Sequence, residues 1–574
     1  GEPQQISSGS NPTGCTFGGL ITTNTAYQMQ IEGQSTGDDV TDVRPGGTIT
    51  GNKQRIASAS LTVGVKAIGT SDVAVKNVKN LNLLRFEMRA GEAKDILATK
   101  FAFTSQSGSI LNGQNYTLWA DTNADGVVDT ILEKGKSAQS GTVTFDKLAS
   151  GGFVVGKEKT IVFEVHADVA ASLTNSWLML RFDTSSSSYI EAQDYVRGSS
   201  LSGIATNGTC GSTSCDITVS TVNSKAFSLV SQGDLFLIND TVPVKNHQVL
   251  GGATSEAVLR LQFTAKNEGM DVYALQITAS GSTANSVNSL ELWFDTGTSA
   301  FATATTTGCG SDETFSSTGN NGASISATFC AKMQSQQLKI PKNQDVKVLV
   351  KANMKDDTQG ATTNQKLQFL VDNSIAFNNA TGSGALRARG LDSSNDLIAN
   401  NGNSVGNGEV FIGVSTPTAT NTMVRGVLHV STLSKITSIV DAFPAGSSAV
   451  PTGASDLGMF KISAASNVNA QNGYNKVVMS GVIFNVNATN VQLDPATFVF
   501  YNTANSTVTK TCSPKTTAGV TIAGTASGSF LVDCNALPAS SVNVTVDPST
   551  DMTFALKGTV INNKVVGTNT STLQ

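Results

Sequence analysis

Charge is scarce in this chain. Asp, Glu, Lys and Arg make up 14% of its 574 residues, and the formal net charge is −5. That leaves no basic face for nucleic acid and no polybasic segment for anionic lipid. Long apolar runs are missing too. None approaches the ~20 residues of a membrane-crossing helix, so no membrane insertion is expected. The three histidines, His166, His247 and His429, stand beside no serine or cysteine in a nucleophile motif. Ser- or Cys-based catalysis is thereby left without a base, and the chain reads as no enzyme. Aromatics amount to 6%, and Leu, Glu, Lys and Arg are too thinly spread for long amphipathic helices.

Gly, Ser, Thr, Asn, Ala and Val dominate instead, with hydrophobic residues at 39% gathered in short runs. That is the composition of many short strands joined by polar turns, not of a disordered chain. The N-terminus, Gly1-Glu2-Pro3-Gln4-Gln5, lacks a methionine and an apolar signal segment. It reads as a processed end of an exported, extracellular protein.

Leu84-Arg85-Phe86-Glu87-Met88-Arg89-Ala90 matches Leu259-Arg260-Leu261-Gln262-Phe263-Thr264-Ala265, each alternating apolar and polar residues as a half-buried strand does. Glu92 corresponds to Glu268, and Asp95-Ile96 to Asp271-Val272. Leu118-Trp119-Ala120-Asp121-Thr122 corresponds to Leu292-Trp293-Phe294-Asp295-Thr296, and Lys159 to Val165 corresponds to Gln344 to Val350. Leu178 to Asp183 then matches Leu367 to Asp372. The separation of about 175 to 190 residues is too long for a solenoid and marks duplicated whole domains. A weaker third copy has Val482 to Val486, Phe498 to Asn502 and Met552 to Leu556 in the equivalent slots. Its terminal strand is hard to place, which leaves completion by a partner's strand or by further chain as alternatives.

The expected fold is therefore all-β: tandem immunoglobulin-like antiparallel β-sandwich domains with an extended N-terminal arm. The expected limits are 1–55 for the arm, 56–228 and 229–410 for the first two sandwiches, and 411–574 for the third. The strand-loop-strand unit around Trp119 recurs at Trp293 and Phe500. Its long loop is expected to be pinned by metal in the first copy and by sulfur in the others.

Seven cysteines fall as Cys15, Cys210/Cys215, Cys309/Cys330 and Cys512/Cys534. The three local pairs fit disulfides of an oxidising compartment. They lack zinc-site spacing, and the histidines are remote in sequence. Cys15 is either a free thiol or a covalent link to a neighbouring subunit.

Asp121-Thr122-Asn123-Ala124-Asp125-Gly126-Val127-Val128-Asp129 places oxygen-bearing side chains at loop positions one, three, five and nine. Gly126 stands where the chain must turn around an ion. Asp121, Asn123, Asp125, Asp129 and the Val127 carbonyl would provide most of the oxygens that calcium requires. The usual twelfth-position glutamate is absent: Leu132 occupies that place and Glu133 follows. Strands flank the loop, so it is expected to staple a hairpin in a structural role.

Asp38-Asp39 and Asp356-Asp357 read as solvated loops, and Gly524 to Gly528 follows no phosphate-loop pattern. Trp119, Trp177 and Trp293 sit in alternating strands and are expected in the core. Ile56 to Val65 alternates well enough to be donated to a neighbouring subunit. An ordinary first strand of its own domain is the preferred reading.

The block Val249-Leu250-Gly251-Gly252-Ala253-Thr254, with Ala265-Lys266-Asn267-Glu268 after it, resembles repeats of large bacterial cell-surface proteins. The resemblance spans roughly 56–410 and implies a surface layer, adhesive stalk or fibre. The first copy departs from it, with Gly91-Glu92 in place of Asn267-Glu268. The expected function is a secreted structural subunit that assembles with copies of itself into a filament, sheath or surface layer. The alternative is an adhesin that contacts cell-surface glycans.

Overall fold

The computed structural model describes residues 57–574 except 70–72, 185–188, 207–208, 211–214, 221–223, 282–284, 310–323, 373–384, 400–405, 419–421, 445–449, 466–475, 538–543 and 564–570. The expected arm, Cys15 and Asp38-Asp39 lie outside the described residues. Among those residues there is no α-helix, and so no helix long and apolar enough to cross a membrane. The chain is a tandem of β-sandwiches divided between two compact units.

The first unit is built on the predicted alternation. Leu81–Ala90 pairs antiparallel with Thr160–Val169, Phe86 facing Phe163 across the register. Every second residue of Ile161 to Val169 is buried. Gly113–Ala120 and Thr130–Lys136 extend this sheet as a hairpin. The opposing sheet centres on Ile96–Gly108, flanked by Trp177–Phe182 and Ile190–Asp194 on one side and Thr142–Phe145 and Phe153–Val155 on the other. Phe86, Phe163, Phe103 and Phe182 meet between the sheets at ring separations of 4.7 to 5.1 Å for the closest pairs. Edge-to-face and offset rings of this kind add to what their burial already contributes.

The second unit holds a sandwich that repeats this pairing strand for strand. Thr254–Lys266 pairs with Asp345–Met354, which pairs in turn with Val287–Phe294 and its hairpin partner Ala300–Ala304. Met270–Gly281 is the centre of the other sheet, between Lys366–Val371 and Leu386–Gly390 on one side and Ile325–Lys332 and Leu338–Ile340 on the other.

Two features depart from an antiparallel sandwich ending at 410. Glu409–Ile412 runs parallel to Asp234–Asn239, and His429–Thr432 runs parallel to Gln248–Leu250. The same two parallel pairings occur earlier, with Ile217–Val219 against Leu61–Lys66 and Phe227–Val230 against Val73–Val75. The expected boundaries at 228/229 and 410/411 therefore fall within paired strands, and the second sandwich runs on to Thr432. These closing strands are too short to show a period in sequence. Leu61–Lys66 also pairs along its whole length with Leu81–Ala90, so the donor candidate at 56–65 serves its own sandwich.

In the third sandwich Gly453–Ala464 pairs with Ile436–Asp441 and Asp551–Asn563. Val499–Asn502 and Asn505–Thr511 form the hairpin that continues it. Ile483–Leu493 takes Ala526–Asp533 on one side and the terminal strand Thr572–Leu573 at residues 488–489. Phe498, Phe500, Phe530 and Phe554 are buried in its core.

Candidate functional site

The candidate calcium loop is the turn of the first hairpin, between Gly113–Ala120 and Thr130–Lys136. Asp121 is buried, and its backbone N–H donates to the Val162 carbonyl at 2.9 Å, which anchors the loop to the sheet. Its carboxylate accepts the N–H groups of Asp125 at 3.2 Å and Gly126 at 2.9 Å. Asn123 Oδ1 also accepts from Asp125 N–H, and Asp125 Oδ1 accepts from Val127 N–H at 2.8 Å. Ala124 and Gly126 take positive φ, 58° and 90°, which wrap the backbone around the three side chains.

The donor set is all oxygen, the chemistry of a hard cation. Asp129, however, accepts from the Thr130 hydroxyl. Glu133 is turned away, accepting from Lys147 N–H and pairing with Lys136 at 2.7 Å. Among the described residues no three His, Cys, Asp or Glu side chains converge as a metal centre. Any ion here would lean on Asn123, the Val127 carbonyl and water as well as on Asp121 and Asp125.

The sulfurs pin a different loop, which corrects the expected equivalence. Cys309 is bonded to Cys330, Cα to Cα 4.8 Å, and Cys512 to Cys534, 4.5 Å. Cys309, after the outgoing strand Ala300–Ala304, is tied to the next strand, Ile325–Lys332, and Cys512, after Asn505–Thr511, is tied to the end of Ala526–Asp533, two strands on. The hairpin turns themselves are 121–129, 295–299 and 503–504. In the first copy the post-hairpin segment is held by charge, with Lys136 Nζ 2.8 Å from Asp146 and 2.7 Å from Glu133. Cys215 is disulfide-bonded; the side chain of Cys210 lies outside the described residues.

The tryptophans are not core residues. Trp177 is 45% exposed. Trp119 and Trp293 occupy the same place in their copies, on the outer sheet face, because Leu118 and Leu292 take the inward positions. The Trp119 ring lies 5.6 Å from the His166 ring, and Lys351 Nζ lies 3.7 Å over the Trp293 ring. His166 and Lys351 are equivalent in the repeat, so each copy sets a basic side chain against its indole.

The polar residues with the most partners carry no sequence motif for chemistry. Glu268 is fully buried. It accepts from Gly233 N–H at 2.6 Å, Asp392 N–H at 2.9 Å, Ser393 N–H at 2.8 Å and the Ser393 hydroxyl at 2.9 Å. Asn267 before it adopts φ 69°, which turns the chain so that the carboxylate points inward. Asp234 accepts from Gly406, Gly408 and Glu409 N–H at 2.7 to 3.1 Å. Burial pushes its carboxyl above the ordinary range, and those three N–H groups work against that rise. These carboxylates hold the ends of distant strands together. The Asn-Glu turn is thus a structural clasp, whereas the aligned Glu92 of the first copy is exposed.

Asp240 sits under Arg260 and Lys347, 2.8 Å from each. Burial would raise its carboxyl, but the two cations outweigh it and hold it down to about 2. Of the expected solvated pair, Asp356 closes a turn on Thr358 and Gln359 N–H. His247 and His429 lie 4.5 Å apart between ring centres. Burial pushes the His429 imidazole below its usual range, and its Nε2–H donates to the Val258 carbonyl at 3.0 Å.

The chain matches no protein-family model and no curated protein. Among solved structures it is similar to a protein of Corynebacterium diphtheriae described as membrane-anchored: 8% identity, 59% of this chain and 95% of the other, TM-score 0.13. It is also similar to the full-length major pilin SpaD of the same organism: 10% identity, 88% of each chain, TM-score 0.13. A third similar structure is the alpha-2-macroglobulin of Escherichia coli: 8% identity, 87% of this chain and 28% of the other, TM-score 0.13.

Proposed function

We propose that this chain is a non-enzymatic structural subunit that associates with copies of itself outside the cell, in a filament, sheath or surface layer. One observation carries the reading. Among the described residues Ile436–Asp441 is an edge strand that pairs with Gly453–Ala464 alone. Ile436, Ile439 and Val440 on this edge are 41%, 62% and 44% exposed. Its single charged residue is Asp441, so it lacks the lysines and prolines that protect sheet edges from pairing. Disulfides across the second and third sandwiches agree with an oxidising, extracellular setting.

Electron microscopy of the purified chain tests this reading. Ordered filaments or lattices are expected, and isolated rods at every concentration overturn it. The adhesin alternative has less support at the indoles, since Lys351 already covers the Trp293 face.

The reading includes calcium at 121–129 as a structural staple of the first hairpin. Chelation is then expected to lower the melting temperature of the first unit. The shift would correspond to about 2.7 kcal/mol when calcium stands at a hundred times its dissociation constant. A melt that chelation leaves unchanged removes the metal.

A further inference from the structure

We infer that His247 and His429 form an acid-sensitive latch. While both rings are neutral it holds the closing strands of the second sandwich together, and a fall in pH releases those strands and the joint they secure.

The pair sits where two distant stretches of chain meet. His429 opens the strand His429–Thr432, and His247 directly precedes Gln248–Leu250, which runs parallel to it. His429 is fully buried and His247 half-buried, with ring centres 4.5 Å apart and planes at 64°. A carbonyl can only accept, so the neighbour of each ring fixes its tautomer. His429 Nε2–H donates to the Val258 carbonyl at 3.0 Å, and His247 Nδ1–H donates to the Lys245 carbonyl at 3.1 Å. The proton-free nitrogens are therefore His429 Nδ1 and His247 Nε2. Both atoms are buried, and among the described residues neither has a hydrogen-bond partner. A proton at either one makes a cation away from water, and protons at both set like charges against each other.

The surroundings do little to offset that charge. Lys366 stands exposed beside Leu367, the register partner of His429. Lys435 Nζ is bonded to the Gln248 carbonyl at 3.2 Å, and Lys355 meets Gly252 N–H through its own carbonyl. Along Thr254–Lys266, Glu256 is exposed and Arg260 is paired with Asp240. Burial is the main cause that pushes the His429 imidazole down; the His247 charge adds to it, and the Val258 and His247 carbonyls work against it. His429 is thus held neutral while the strands are closed and gains its proton when they part. The open form binds more protons, so the closed form loses stability as pH falls below the ordinary histidine value of ~6.5. Above that value the latch is engaged.

The first sandwich closes in the same way with a ring that does not titrate. Leu229 N–H donates to the Ser176 carbonyl as Ser431 N–H donates to that of Gln365, which puts Phe227 in the place of His429. Phe227 is buried like its counterpart. What the histidines secure is the passage into the third sandwich. Only Leu433, Ser434 and Lys435 connect His429–Thr432 to Ile436–Asp441. Gly251 N–H donates to the Thr432 carbonyl at 2.8 Å, and Lys435 holds the Gln248 carbonyl, so this short joint is tied to the strand that His247 precedes. Parting the two strands loosens both ties.

Hydrogen exchange on the full chain from about pH 8 down to about pH 5, each rate taken relative to an unstructured amide at the same pH, tests the latch. Protection at Gly251 and Ser431 is expected to fall below ~6.5, by about tenfold per pH unit for each proton the closed form refuses. Protection at Leu229, beside Phe227, is expected to stay level. His429→Phe, which copies the first sandwich, is expected to remove the pH response at Gly251 and Ser431. Protection there that ignores pH in the parent overturns the latch, and so does a His429→Phe variant that responds as the parent does. Should that variant not fold, His247→Gln takes its place. With one charge of the pair gone a shallower fall is expected, and a fall as steep as the parent's overturns the pairing.

Discussion

Glu268→Ala is expected to destabilise the second sandwich by about 4 kcal/mol, one of the two largest effects of a local change in this chain. The residue is 0% exposed, and its carboxylate is the acceptor for three backbone N–H groups and one hydroxyl. Alanine removes every acceptor at once. Gly233 and Ser393 are left with buried donors, and each such orphan costs about 1–3 kcal/mol. Glu268→Gln keeps the shape but turns one oxygen into a donor facing other donors, so an intermediate loss is expected. The aligned Glu92 is exposed, and Glu92→Ala is expected to change stability by no more than about 0.5 kcal/mol. Denaturant unfolding followed in the second unit checks the series. A loss below about 1 kcal/mol for Glu268→Ala would show that the clasp is dispensable.

The second large effect concerns the sulfurs. Replacing Cys309 and Cys330 together by serine opens a cross-link across 21 positions, and replacing Cys512 and Cys534 opens one across 22. Constraint on the unfolded chain by loops of this size contributes about 3 kcal/mol each. The bonds belong to sandwiches whose main cores share no residue. Their effects are therefore expected to add within about 0.5 kcal/mol and to appear in different unfolding transitions. Calorimetry of the two double variants and of their combination reads this directly. A single transition shifted equally by either pair would contradict independent sandwiches.

Much of the fold is legible because long half-buried strands write their period into the sequence. The strand at Leu84 to Ala90 and its counterpart at Leu259 to Ala265 lie where the alternation places them, as do the hairpins at Trp119 and Trp293. The closing strands are not legible. Ile217–Val219 and His429–Thr432 are too short to carry a period, so alternation alone ends the second sandwich before its closing strands. The tryptophans lie outside the core because Leu118 and Trp119 are neighbours of opposite face, and alternation does not say which turns inward. The candidate calcium loop and the disulfide loops look equivalent in sequence because each follows a similar strand. In the structure one lies inside the hairpin and the others after it. Glu268 gave no chemical signal, since a clasp made to backbone N–H groups exists only once distant strands have met.

Self-association through the third sandwich requires the edge Ile436–Asp441 to gain a partner on assembly. Hydrogen exchange at the amides of 436–441, compared between assembled and dissociated material, tests that most directly. The edge is expected to exchange freely in the monomer and to become strongly protected on assembly, while Thr254–Lys266 stays protected in both. Equal exchange in the two states would place the contact elsewhere and contradict the account.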